Sequence, residues 1–302
     1  MFEVPVGQIP PASICRNLKW WMRSVLQMPS TSYLETAFRL DCLVRRSGRF
    51  AGNAVEMPWG KMEAHSLQIL RAQFRELFIE QWYSFQPMSD SPVIVDCGAN
   101  IGMASLWFSL TFPKATILGY EADATLCNTA QRNLASAGCD NAKVIHAAAW
   151  NCNGTLQFNA TGDDRGSVAV DGAITIPSVD LAQHLPARVD LLKIDIEGGE
   201  FVVLPHLCKS GALERVRNLA AEFHISRDRF DDFLKILRDL RQLGFTLTFR
   251  GDVEDWLGVE NIPSPFGSVA SGKLFVQLYA WRERAKCPGG IGLPLRDMVA
   301  SA

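Results

Sequence analysis

The chain has 302 residues, of which 48% are hydrophobic and 21% charged, and its formal net charge is −2. These are values of a globular protein, and they exclude a disordered, collagen-like or coiled-coil chain as the main state. Because basic residues are not in excess, nucleic acid is excluded as the main partner. No uncharged apolar run reaches about 18 residues, which argues against a transmembrane helix.

Cysteine usage and the start of the chain indicate the compartment. The eight cysteines are scattered, and none forms a Cys-x-x-Cys pair, so a thiolate zinc site is not expected. They are interpreted as small buried residues in a reducing environment. The first residues lack a basic start followed by an apolar run, so no secretory signal is predicted. We expect a cytoplasmic protein.

Three segments are expected along the chain. Residues 1–64 form an N-terminal extension, helical or mixed. Within it, residues 14–28 combine basic side chains with two tryptophans. This pattern is typical of a helix packed on the main domain, the preferred interpretation, or of a basic amphipathic helix at a membrane surface. The main domain is expected at residues 65–283, and residues 284–302 form a Gly/Pro-rich tail.

The main domain begins with apolar residues at helical spacing, which predict a helix over residues 67–85. Short apolar segments without alternation then predict strands buried on both faces, as in a parallel sheet. These predicted strands lie at residues 93–95, 115–120, 142–148, 189–196 and 216–223, with short strands or a loop at 154–179. A helix over 228–243 precedes two further strands, at 245–249 and 274–281. This order predicts an α/β fold with a mostly parallel sheet and an antiparallel edge strand.

A glycine turn follows the first of these strands. Its pattern is Asp96-x-Gly98-x-Asn100-x-Gly102, and a helix begins after it. Glycine at 98 allows a sharp turn and a close approach of the backbone to a ligand, and Gly102 allows close packing or ligand approach. Asn100 tolerates a positive φ. At the end of the next strand, a carboxylate at Glu121 can accept both ribose hydroxyls of an adenosine cofactor.

The spacing of the glycines helps to choose the cofactor. A dinucleotide fingerprint needs Gly-x-Gly-x-x-Gly, whereas this turn has glycines at 98 and 102 only. The turn therefore favours S-adenosylmethionine over a nicotinamide dinucleotide, with Asp96 beside it. A nicotinamide-dependent oxidoreductase on a related sheet remains the alternative enzyme.

Acidic residues follow two other predicted strands. Asp195 and Glu197 come at the end of one strand, and Glu222 and His224 at the end of the next. Open α/β sheets bind ligands at these carboxyl ends. Crowded carboxylates are typical of a general base or of a divalent cation site, with Asp195 and Glu222 as the metal candidates. The alternative is structural, with Glu197 and Glu200 capping the next helix and His224 forming a core hydrogen bond.

Together these segments identify a family. VIVDCGANIG at 93–102, Glu121 and LLKIDIEGGE at 191–200 resemble the FkbM family of S-adenosylmethionine-dependent methyltransferases. The resemblance covers roughly residues 65–283 and extends to Ala148-Ala149-Trp150. It implies the Rossmann-like class I methyltransferase fold, a seven-stranded sheet, cofactor contacts that include Ala148 and Asp195, and methylation of hydroxyl groups. The acceptors it implies are sugars, glycans and natural products.

The reaction expected from these residues is in-line transfer of a methyl group to a hydroxyl oxygen, because positioning lowers the barrier. An alcohol is a poor nucleophile near neutral pH, so a base or a metal is needed. Asp195 is the predicted base, with His224, Glu222 and Glu197 as further catalytic candidates. The other expectation is that Asp195 and Glu222 hold a magnesium-like ion.

Two further predictions concern selectivity and activity. Acceptor selectivity is expected in loops at 163–171 and 251–272 and in the N-terminal segment. A non-catalytic module that binds the cofactor is the alternative to an enzyme.

Overall fold

A computed structural model describes residues 31–46, 54–159, 167–168, 172–250 and 273–283. Four predictions fall outside the described residues, wholly or for the greater part. They are the helix at 14–28, the tail at 284–302 and the selectivity loops at 163–171 and 251–272.

The elements alternate between strand and helix through most of the chain. In chain order the strands are β1 (Ala54–Met57), β2 (Gly60–Glu63), β3 (Val93–Cys97), β4 (Thr116–Glu121), β5 (Ala142–His146), β6 (Ala148–Trp150), β7 (Gly154–Asn159), β8 (Ser167–Val168), β9 (Ile174–Asp180), β10 (Val189–Ile194), β11 (Val216–Ser226), β12 (Thr246–Arg250) and β13 (Lys273–Trp281). The helices are α1 (Thr31–Arg46), α2 (Leu67–Phe74), α3 (Met103–Thr111), α4 (Ala124–Ser136), α5 (Leu181–His184), α6 (Glu200–Lys209) and α7 (Phe230–Gln242). A π-helical segment, Arg75–Ile79, continues α2, and 3-10 turns lie at Ala212–Arg215 and Arg227–Arg229.

The predicted seven-stranded, mostly parallel sheet is confirmed. Its strand order is β12-β13-β11-β10-β3-β4-β5. Strands β3, β4, β5, β10 and β11 pair in parallel, and β13 runs antiparallel to both of its neighbours, β11 and β12. This is the class I methyltransferase fold, with the antiparallel strand at the β12 end of the sheet.

Hydrophobic residues cover both faces of this sheet, which is why its strands show no alternation. Along β3, Ile94 packs with α1 to α4, whereas Val95 packs with α5 to α7 on the other face. Leu191 and Leu192 divide in the same way along β10, where all six residues are buried. Both layers of helices therefore hold the carboxyl ends of the central strands in place.

Some predicted boundaries are wrong. The strand predicted over 142–148 divides at Ala147, and β6 belongs to a second sheet of order β6-β9-β7-β8. The helix predicted over 67–85 ends at Ile79, and Gln81 has a φ of +52°. The strand predicted over 189–196 ends at Ile194. Local apolar patterns do not reveal where the chain changes sheets or helix type.

The hairpin formed by β1 and β2 is attached to the glycine turn through α4. The Asn133 side chain donates hydrogen bonds to the carbonyls of Ile101, 2.8 Å away, and Glu63, 3.0 Å away. Its Oδ1 accepts one from the Glu63 amide at 2.8 Å. Arg132 adds an ion pair to the Glu63 carboxylate. Among the described residues no helix has the length and hydrophobicity needed to cross a bilayer.

Candidate functional site

A cavity of about 270 Å³ opens at the carboxyl ends of β3, β4, β10 and β11. Elements distant in sequence meet here because parallel strands end at one edge of the sheet. The predicted residues that line it are Gly98, Asn100, Glu121, Ala148, Asp195, Glu197 and Glu222. The structure thus brings the two sequence motifs together in one cavity.

The glycine turn is pressed against the second motif. Gly98 has a φ of +79°, and a Cβ there would lie 1.7 Å from the carbonyl oxygen of Asp195. The Asp195 amide also donates to the carbonyl of Cys97 at 3.0 Å. Only glycine fits such a close approach of two backbones at positive φ. The turn and the residue after β10 therefore form one rigid unit.

Glu121 closes the turn on its other side. One carboxylate oxygen accepts the Asn100 amide at 2.7 Å, and the other accepts the Asp123 amide at 2.9 Å. Asn100 has a φ of +50°, which aims its amide at this carboxylate. Each oxygen keeps a further lone pair, so the side chain retains hydrogen-bonding capacity at the cavity wall.

Burial changes the proton affinity of Glu121. The residue is 7% exposed, and burial raises its pKa to about 7, against the lowering effect of the two backbone amides. Desolvation disfavours the charged form, and hydrogen bonds to the carboxylate favour it. The hydrogen-bonding capacity of this wall therefore changes with pH near neutrality.

A buried lysine of the second motif contacts the glycine turn. The Lys193 ammonium lies 3.1 Å from Asp96 Oδ1 and 3.5 Å from Asp195 Oδ2. It also donates to the carbonyl of Gly98 at 3.0 Å. Burial opposes its charge, but the neighbouring carboxylates prevail and raise the pKa of Lys193. Lys193 is therefore a permanent positive charge in the wall of the cavity.

Asp96 stands behind the turn rather than at the cavity surface. It is fully buried, and its Oδ2 accepts a hydrogen bond from Ser105 at 2.7 Å. Both of its oxygens thus face protein groups, with Lys193 on the other side. Asp96 thus holds Lys193 and the start of α3, and its predicted role toward the cofactor stays a prediction.

Gly102 serves packing. It begins α3 with a φ of +84°, and a Cβ on it would lie 3.1 Å from the Cα of Ala130 in α4. Of the two uses expected from the sequence, close packing is the one that the structure places at this glycine.

Carboxylates crowd the opposite side of the cavity. Glu222 on β11 lies level with Asp195, and Glu76 joins them from the π-helical segment. The Asp195 charge, burial and the Glu76 charge together raise the pKa of Glu222 well above its ordinary value. Like charges in a low-dielectric site favour the protonated form of one member. This side can therefore hold a proton between carboxyl groups.

His224 forms the outer end of this group. Its Nε2 lies 3.4 Å from Glu197 and 3.7 Å from Glu222, and its ring packs edge-on against Phe275. Glu197 has a φ of +53°, an uncommon conformation for a glutamate. The imidazole thus bridges two of the predicted catalytic carboxyl groups.

Glu200 has the structural role that its place in the first turn of α6 suggested. Its Oε1 accepts the Ile196 amide at 2.8 Å, and it is fully buried. Burial raises its pKa to about 7. It closes the turn from β10 into α6.

The cavity lining also contains residues that the sequence predictions did not name as site residues, among them Lys193, Glu76 and Tyr83. Lys193 carried a signal, since a charge within the buried strand β10 is uncommon. Glu76 and Tyr83 carried none, because a polar residue on an amphipathic helix ordinarily faces solvent. The π-helical segment changes that register, and such segments are frequent at functional sites.

The predicted metal site was tested by geometry. In the part of the chain that the structure describes, no group of three or more His, Cys, Asp or Glu side chains is arranged to hold a metal ion. Lys193 supplies the positive charge beside Asp195.

Comparison with known proteins shows the family of the chain. The model of the methyltransferase FkbM domain family matches residues 96–247, half of the chain. Methyltransferase sdnD of Sordaria araneosa is 28% identical over 204 residues, which cover 54% of this chain and 78% of that protein. Methyltransferase 1 of Beauveria bassiana is 28% identical over 159 residues, 43% of this chain and 64% of the relative. A crystal structure of methyltransferase FkbM from Methylobacillus flagellatus KT is 15% identical, with a TM-score of 0.44 over 89% of this chain and 60% of that one.

Proposed function

The chain belongs to the FkbM family of methyltransferases, and from this premise we propose that it transfers the methyl group of S-adenosylmethionine to a hydroxyl oxygen. The proposal depends on one observation, that a wall suited to a cofactor and a wall of acidic side chains face the same cavity. The glycine turn and Glu121 form the first wall, and Asp195 and Glu222 form the second. The family match lies inside residues 65–283, which we propose as the methyltransferase domain.

The first wall suits the adenosine part of the cofactor. Glu121 would accept the ribose hydroxyls through the lone pairs left by its two backbone hydrogen bonds. Ala148 also lines the cavity, and its small side chain would leave room for a flat ring. When bound, S-adenosylmethionine supplies an activated methyl group on a positively charged sulfur. The carboxylates of the second wall favour a cation nearby.

The second wall suits an alcohol acceptor. Asp195 is the proposed base, since its carboxylate is 29% exposed at the cavity and fixed by Lys193. The acceptor hydroxyl would give its proton to Asp195 as its oxygen forms the new bond to carbon. Glu222 and His224, together with Glu197, would hold or pass on that proton. General base catalysis of this kind contributes about 10²–10⁴-fold.

The charge of the second wall also bears on the acceptor. Carboxylates accept hydrogen bonds and repel anions, so they favour a molecule with several hydroxyl groups and no phosphate near the reacting one. A sugar, a glycan or a hydroxylated natural product has this chemistry. We propose this class of acceptor.

Calorimetric titration of the purified protein with S-adenosylhomocysteine, and separately with NADH, tests the cofactor. We expect micromolar binding of the first and none of the second. NADH binding alone would contradict the proposal.

A screen of hydroxylated acceptors for S-adenosylhomocysteine release tests the reaction, in Mg²⁺ and in EDTA. Equal rates in both are expected if Asp195 acts as a base without a metal. Binding without release for any acceptor would favour the non-catalytic module.

A further inference from the structure

Lys193 contacts both halves of the site at once. On the side of the glycine turn it reaches the carboxylate of Asp96 and the carbonyls of Cys97 and Gly98, the last two at 3.5 and 3.0 Å. On the acceptor side it lies 3.5 Å from Asp195. Its side chain is 5% exposed, and its ammonium lies 5.9 Å from the centre of the Tyr83 ring.

We infer that Lys193 is a positioning residue whose single ammonium couples the glycine turn of the cofactor half to the Asp195 carboxylate of the acceptor half. The inference rests on the proposed function, because it assigns the coupling to the same cavity. It goes beyond that function in one respect. A side chain that contacts neither reacting atom would set both the cofactor affinity and the protonation of the acceptor wall.

Several charged and titratable groups lie around Lys193. A buried ion that loses its partner leaves an uncompensated charge, which is strongly unfavourable. Without the ammonium, the carboxylates would repel one another more strongly and would bind protons at higher pH. The groups concerned are Asp96, Cys97, Glu121, Asp195, Glu197, Glu222, His224, Glu76, Tyr83 and Tyr279.

The experiment compares Lys193→Gln, which removes the charge but keeps a hydrogen-bond donor, with Lys193→Arg, which keeps the charge. The readout is the affinity for S-adenosylhomocysteine from pH 5 to 9, measured by calorimetry, and it needs no acceptor. Binding should weaken at low pH as the carboxylates take up protons, and this part of the affinity profile is called the acid limb. For Lys193→Gln we expect about tenfold weaker binding and an acid limb moved upward by about one pH unit. Lys193→Arg should keep the acid limb of the wild type.

Asp190→Asn is the matched control. Asp190 is a buried charge on the same strand, but it lies at the opposite end and binds the amides of Met88 and Val93. Its variant should lose stability while the pH profile stays in place.

The outcomes distinguish failure of the proposed function from failure of the positioning role of Lys193. If the wild type does not bind S-adenosylhomocysteine, the proposed function fails. If the wild type binds and Lys193→Gln keeps both affinity and acid limb, or if Asp190→Asn shifts the limb equally, the positioning role is refuted. If Lys193→Gln does not fold, Lys193→Arg decides, since a displaced acid limb in that variant would contradict the inference.

Discussion

The two ends of strand β10 both carry a buried charge, yet the charges have different surroundings. At the amino end, Asp190 accepts the amides of Met88 at 2.8 Å and Val93 at 3.0 Å, and Arg188 pairs with it. At the carboxyl end, Lys193 is shared between carboxylates, and the Asp195 charge together with burial raises the pKa of Glu222. The first charge is satisfied by a fixed backbone, and the second is one ammonium shared between the carboxylates of Asp96 and Asp195. A buried charge satisfied by the backbone is expected to serve stability, whereas carboxylates crowded beside a cavity are candidate functional groups.

The largest expected effect is at the carboxyl end. Asp195→Asn keeps the shape of the side chain but removes the proposed base, so turnover should fall by about 10²–10⁴-fold. S-adenosylhomocysteine affinity should change by less than about threefold, because the loss concerns the reacting hydroxyl. Steady-state kinetics and calorimetry check both quantities. Unchanged turnover would remove Asp195 from the mechanism.

At the amino end of β10, loss of the buried charge should lower the stability of the fold rather than turnover. Asp190→Ala leaves the amides of Met88 and Val93 without this acceptor, at about 1–3 kcal/mol each, so the free energy of unfolding should drop by about 2–6 kcal/mol. Urea denaturation measures this change. S-adenosylhomocysteine affinity should remain that of the wild type. A large loss of affinity would contradict the assignment of stability to the amino end and of the site to the carboxyl end.

Glu200 tests whether a buried carboxyl beside the site is structural. Its pKa is raised to about 7 in the folded protein, so the folded state binds more protons than the unfolded state between about pH 4.5 and 7. The contribution of Glu200 to stability should therefore decrease as pH rises through this window, by at most about 3 kcal/mol. Glu200→Gln should remove this part of the pH dependence, as measured by urea denaturation at several pH values, while the part due to Glu121, whose pKa is also raised to about 7, should stay. A wild-type curve that is flat in this window would contradict the structural account.

The smallest effect is expected at Glu121, on β4. Glu121→Gln removes a charged acceptor and should weaken S-adenosylhomocysteine binding by about 1–3 kcal/mol. In the wild type, protonation removes acceptor capacity, so affinity should fall as pH falls through about 7. The variant should lack this contribution, which calorimetry at pH 6 and 8 can detect. Equal affinity in the two proteins would reject the ribose role.

Much of the fold was predictable because its central strands are local apolar runs. The runs that became β3, β4, β10 and β11 were located, and the helix that became α7 ends at a glycine, as expected. The second sheet was not predicted, because the bend at Ala147 has no local signal. The N-terminal hairpin is held by Asn133, which lies 70 residues away in sequence.

In the site, too, some features follow from local sequence and others from contacts between distant elements. Sequence by itself determined the two motifs, the family and the strand ends that carry Glu121, Asp195 and Glu222, since strand ends follow from short-range patterns. Tertiary structure alone decided that Asp96 faces Lys193, and that Glu76 enters the cavity from a π-helical segment. These placements depend on how distant elements pack around one buried ammonium, and no local spacing of residues encodes that packing.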